Sequence, residues 1–110
     1  MEITETNSNI RTASFGMLTE LAELEQIVYA AAYDHDTVGG NPRVGWVKVG
    51  LIVDLSMLTA TPVEGKATLL KAVWKESWST MDSDRRSANN IVEAIDDVRR
   101  EIKLLLAGLE

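Results

Sequence analysis

The chain has no cysteine, which excludes disulfides, thiolate zinc sites and cysteine nucleophiles and removes any reason to place it in an oxidising compartment. Aromatic residues make up only 5% of it, so aliphatic side chains must supply most of a core. No apolar run is long enough for a membrane span. The longest apolar-rich stretch, Val44 to Leu58, carries Lys48 and Asp54 and falls short of the roughly 20 residues a span requires. The opening MEITETNSNIR places acidic residues before any cation and has no apolar run, so it reads as neither a secretory signal nor a transit peptide. A soluble, cytoplasmic protein is expected.

Positive charge is also scarce. The net charge of −6 repels phosphate backbones and anionic head groups at long range, and carboxylates surround the basic pairs Arg85-Arg86 and Arg99-Arg100. Neither nucleic acid nor membrane is expected as a partner.

What is present describes a globular domain. A length of 110 residues, 45% apolar and 25% charged, suits one domain, and a chain of this size buries roughly two-thirds of its unfolded surface. Residues 1–11 are polar and aperiodic and read as a flexible N-terminal arm, leaving 12–110 as a single helical-bundle domain. Met17, Leu21, Leu24, Val28 and Ala31 recur at three- and four-residue steps and predict a first helix from about Ala13 to Tyr33. Asp34 to Gly40 ends it. Asn41-Pro42 reads as an N-cap followed by proline at the first helical position. Thr61-Pro62-Val63-Glu64 reads as a capping box opening a third helix with the stripe Val63, Ala67, Leu70, Trp74, Trp78 and Met81. Ser83 or Asp82 should cap a fourth helix over about 84–107, with Gly108 as its stop. Its residues Ala88, Ile91, Ile95, Val98, Ile102, Leu105 and Leu109 alternate steps of three and four, the seam of a left-handed helix pair.

Residues 44–58 carry two readings. The alternation Val47, Val49, Leu51, Val53 favours a strand, and a strand over 44–53 would make the fold α+β. The length, the Asn-Pro start and the steps Val44, Val47, Leu51, Leu55, Leu58 favour a helix. As a helix it is apolar almost all round, which describes a central, buried element; Gly45 and Gly50 would then admit a close neighbour. We read it as helix. Short connections at Gly39-Gly40 and Thr59 to Thr61 make consecutive helices antiparallel, giving an all-α, up-down-up-down four-helix bundle.

Few residues carry chemistry. Glu20-Leu-Ala-Glu23-Leu-Glu25 and Glu93-Ala-Ile-Asp96-Asp97 resemble in part the all-α nucleotide pyrophosphohydrolases of the MazG type. In that family an E-E-x-x-E motif followed by E-x-x-D holds magnesium over a triphosphate. This chain lacks the leading double Glu, its two blocks lie far apart, and its helical wheels turn Glu20, Glu23, Glu93 and Asp96 towards water. Membership is not read from it. Glu25 lies on the apolar face of the first helix, and Asp54 and Lys48 are embedded in the most apolar one. Such a carboxylate needs a partner, as a structural ion pair or as a polar group lining a pocket. His35, in Asp34-His35-Asp36, is the only histidine; it lacks companions for a zinc site and a nucleophile partner. Gly39-Gly40-Asn41-Pro42-Arg43 has the ingredients of an anion site at a helix start, with Arg43 and Trp46 nearby, but not the P-loop spacing. Trp74 and Trp78 share a stripe and read as core, as an interface anchor or as a wall of a ligand site.

Two functions follow. The first is an interaction protein, a homodimer or the binder of a protein partner, with no catalytic residues, metal or cofactor. The second is a small-molecule binder, or a small metal-dependent nucleotide hydrolase, with a site between the helices. The candidate ligand or interface residues are Glu25, Arg43, Trp46, Asp54, Trp74 and Trp78.

Overall fold

The computed structural model describes residues 2–109. Four helices follow one another: α1 Glu2–Ala32, α2 Pro42–Ser56, α3 Thr61–Ser77 and α4 Arg85–Ala107. No strand occurs among the described residues, so the segment that also read as a strand is helical. The neighbours α1/α2, α2/α3 and α3/α4 pack together, α4 closes back on α1, and the Cα atoms of neither diagonal pair come within 8 Å among the described residues. The arrangement is a square, up-down-up-down bundle, in which the backbone of each helix closely approaches two others while side chains from all four share the core.

The core matches the periodicity. Met17, Leu21, Leu24 and Val28 of α1 meet Val49 and Ile52 of α2, Val63, Leu70 and Trp74 of α3, and Ile91, Ile95, Val98 and Ile102 of α4. The 3.5-residue seam of α4 is buried from Ala88 to Ile102, while Leu105 is half-buried.

Four details differ from the sequence reading. Helix α1 starts at Glu2, so residues 2–11, expected as a flexible arm, extend the helix; Met1 lies outside the described residues. No described side chain from Glu5 to Thr12 is buried. The apolar pattern that marks the rest of the helix is therefore missing from a stretch that is helical all the same. Second, Ala60 rather than Thr61 precedes the first turn of α3, and no side chain caps it. Thr61 is already inside the helix, so the capping box does not form. Third, Asp84 caps α4, accepting from the Arg86 amide at 2.9 Å, where Asp82 or Ser83 was expected.

The fourth concerns α2. Asn41 caps it as predicted, accepting from the Arg43 amide at 2.9 Å, with Pro42 next. It is not central, however. Only Gly45, Val49, Ile52 and Ser56 are buried, whereas Val44, Val47 and Leu51, and Leu58 just beyond the helix end, are exposed. A helix with two neighbours in a square bundle covers about half of its circumference: Trp46, Val53 and Leu55 pack half-buried against the core, and Val44, Val47 and Leu51 face outward.

Close packing of α2 depends on two glycines. A Cβ on Gly45 would stand 2.3 Å from the Trp74 ring, and one on Gly40 would stand 2.6 Å from the backbone of Ala31. Gly45 thus seats an indole rather than the neighbouring backbone that the sequence suggested, while Gly50 faces open space. Gly45→Ala is expected to destabilise the fold by about 1–3 kcal/mol through overpacking, outweighing the gain in helix propensity of about 1 kcal/mol. Gly65→Ala, exposed on α3 with nothing near its Cβ position, should instead stabilise by about 0.5–1 kcal/mol. Urea denaturation of the two variants measures both.

Candidate functional site

Three groupings of polar or aromatic side chains stand out, each at a seam or an end of the bundle. The α1/α2 seam holds the most confined charges. Lys48 projects from the flank of α2 that faces α1, where its ammonium lies 2.8 Å from Glu20 Oε2 and also contacts Glu23. The Glu20 side chain is only 17% exposed, so it lies under Lys48 instead of facing water as its wheel position implied. Hydrogen bonds to Glu20 first, and then to Glu23, raise the Lys48 pKa above its usual value.

At the α1/α4 seam, Glu25 receives the guanidinium of Arg99 at 3.2 Å and the hydroxyl of Tyr29 at 3.2 Å. Arg99 also holds Asp96 at 2.7 Å. Burial, followed by the negative charge of Glu25, raises the Tyr29 pKa. One turn further along, Arg85 lies 4.4 Å over the ring of Tyr33, a cation–π contact. Glu25 thus forms an ion pair that joins α1 to α4. Asp97 is held by Arg100 at 3.0 Å. The carboxylates that suggested a magnesium site are mostly neutralised in this way, and no group of three metal-ligating side chains occurs among the described residues.

The third grouping is aromatic. Trp46 of α2 stands edge-on to Trp74 and Trp78, with ring centroids 6.2 and 6.3 Å away, within the range for favourable aromatic pairs. Trp74 is fully buried and its indole N–H has no hydrogen-bond partner; Trp78 is half-buried. Three of the six candidate residues thus meet in one cluster. Glu25 lies at a different seam, and Arg43 and Asp54 are exposed on α2, so the six do not converge on one site.

Beside this cluster, the end of the bundle that carries the α1–α2 and α3–α4 connections has an open hollow of about 270 Å³, lined by Trp78, Met81, His35, Asp36 and Asp82 among others. That volume is slightly below the usual range for small-molecule sites. His35 and Asp36 also serve the turn itself. His35 has φ 50°, the left-handed conformation that His adopts more readily than most residues, and it lies in the turn that follows α1. One oxygen of Asp36 accepts from the amides of both Val38 and Gly39 at 3.0 Å. The Gly40 amide bonds to the Asp36 carbonyl at 2.8 Å, and Asn41 takes the Arg43 amide. The amides of Val38, Gly39, Gly40 and Arg43, which an anion at the start of α2 would draw on, are already engaged.

What the candidate residues did not reveal is the outward face of α2. Val47 is 65% exposed, with Val44 and Leu51 in the same row, and Met57 and Leu58 just past the helix end are exposed as well. The steps 44, 47, 51 and 58 were visible in the sequence. Their orientation was not, because it depends on the bundle being square.

No protein-family model, curated protein or solved structure matches the chain.

Removing Lys48 as Lys48→Met should cost about 1–3 kcal/mol, because the sealed oxygen of Glu20 loses its partner; Glu20→Gln in the same chain should recover part of it. Lys48 and Tyr29 both hold their protons more tightly in the fold. Their stabilising contribution is complete below the unfolded values of about 10 and is lost as pH rises through the raised folded values. Denaturation between neutral and strongly alkaline pH should show this fall, and Lys48→Met should make it shallower.

Proposed function

We propose that this chain is an interaction protein whose product is a surface, acting as a homodimer or on a protein partner in the cytoplasm. The observation that carries this reading is the row Val44, Val47 and Leu51, apolar and exposed along α2 and continued by Leu58 in the turn just past its end. Apolar side chains scattered singly over a surface need no explanation, but a contiguous row marks an interaction site. The three- and four-residue spacing is that of a helix seam. The net charge of −6 favours a protein over an anionic lipid surface as the occupant of this row. No helix among the described residues is long and apolar enough to cross a membrane.

The alternative, a small-molecule binder or metal-dependent nucleotide hydrolase, has weaker support. Glu20 and Glu23 are bound to Lys48, and Glu25 and Asp96 to Arg99, which leaves the hollow beside Trp78 as the feature in its favour.

Light scattering coupled to gel filtration tests the main reading. A mass near twice 12.1 kDa is expected, and Leu51→Glu should shift the chain to monomer without loss of helicity, since Leu51 faces away from the core. A chain that stays monomeric at high concentration and retains no protein partner would remove the reading.

A further inference from the structure

Resting on that reading, we infer that the occupant of the α2 face is a second copy of this chain, with its own α2 lying antiparallel. In this arrangement Val47 of each copy packs against Leu51 of the other, and Arg43 of each copy pairs with Asp54 of the other.

The argument begins with two charges that the fold leaves unsatisfied. Arg43 is in the first turn of α2 and Asp54 in its last; both are exposed, and neither forms an ion pair among the described residues. Each stands at the wrong end of its helix. The amino terminus of a helix carries partial positive charge and disfavours a cation, and the carboxyl terminus likewise disfavours an anion. The two lie about three helical turns apart and therefore share one flank of the apolar row, the flank turned away from α1.

Geometry then selects the orientation. When two copies of a helix pair antiparallel about a two-fold axis, like flanks face each other, and the start of one helix meets the end of the other. Asp54 of the second copy then lies at the amino end of α2 beside Arg43, and the reciprocal pair forms at the carboxyl end. Both misplaced charges gain an opposite charge, and each helix end gains a counter-charge of the favourable sign. A parallel pair would instead set Arg43 level with its own counterpart and leave every Asp54 about three turns from an Arg43. Lys48 is on the opposite flank and already committed to Glu20 and Glu23, so it does not compete. Gly50, with open space where a Cβ would stand, lies next to Leu51 and leaves room for a side chain of the other copy.

Charge exchange tests this. Arg43→Glu alone and Asp54→Arg alone should each weaken the dimer about tenfold, because both reciprocal pairs become repulsive. Mixing the two variants should restore wild-type affinity. The glutamate introduced in one variant then faces the arginine introduced in the other, and the native Asp54 of the first faces the native Arg43 of the second. The chain has no native cysteine, so Val47→Cys and Leu51→Cys give a second readout: a mixture of the two should cross-link between position 47 of one copy and 51 of the other. A dimer whose affinity neither single charge variant changes, or which cross-links 47 to 47 and 51 to 51, overturns the antiparallel arrangement while leaving self-association intact. A wild-type chain that is monomeric at high concentration overturns both.

Discussion

A helix at the corner of a square bundle has two neighbours and can give them only about half of its circumference. For α1, α3 and α4 the sequence respects this limit, with polar residues over most of the outward arc. In α2 it does not, and apolar side chains occupy the inward and outward arcs alike. The burial of Gly45, Val49 and Ile52 and the exposure of Val44, Val47 and Leu51 are two results of one geometric constraint. The apolar core alone would leave the outward row without a cause, since those side chains keep much of their surface in water in the isolated bundle.

The seams show how an aliphatic core with few aromatics keeps its helices in register. Non-directional burial brings the four helices together, whereas charges and rings fix where they meet. Lys48 ties α2 to Glu20 and Glu23 on α1, Arg99 ties α4 to Glu25, and Trp46 meets Trp74 and Trp78 between α2 and α3. Each of these seams thus has its own directional contact on the rim of a shared apolar centre. Partly buried ion pairs add little net stability, but a wrong register would strand the enclosed oxygen of Glu20, which is costly.

Much of the fold was legible because it follows from periodicity. The stripe from Met17 to Ala31 and the seam from Ala88 to Ile102 needed only the helical repeat to be placed in the core. The cap at Asn41-Pro42 was equally local. The rest shares a cause, which is that it depends on contacts distant in sequence or on a pattern that is missing. Residues 2–11 lack an apolar stripe, so nothing local announced that α1 continues through them. Thr61 and Glu64 satisfy the spacing of a capping box, but the helix begins one residue earlier than that box requires. Glu20 looked solvated because the wheel of α1 could not show Lys48 reaching over from α2. Of the candidate residues, the three tryptophans converge because α2 and α3 are adjacent, while Glu25, Arg43 and Asp54 belong to other surfaces.

The grouping of all three tryptophans at the α2/α3 boundary makes the molecule's intrinsic emission a local signal. Trp46, Trp74 and Trp78 sense the separation of those two helices and have no tryptophan counterpart between α1 and α4, where the paired aromatic rings are Tyr29 and Tyr33. An opening confined to the far side of the bundle would pass unseen in tryptophan fluorescence yet register in far-ultraviolet dichroism. Emission therefore follows one boundary while dichroism follows the helices of the whole unit, and their agreement or divergence reports whether the bundle comes apart as one.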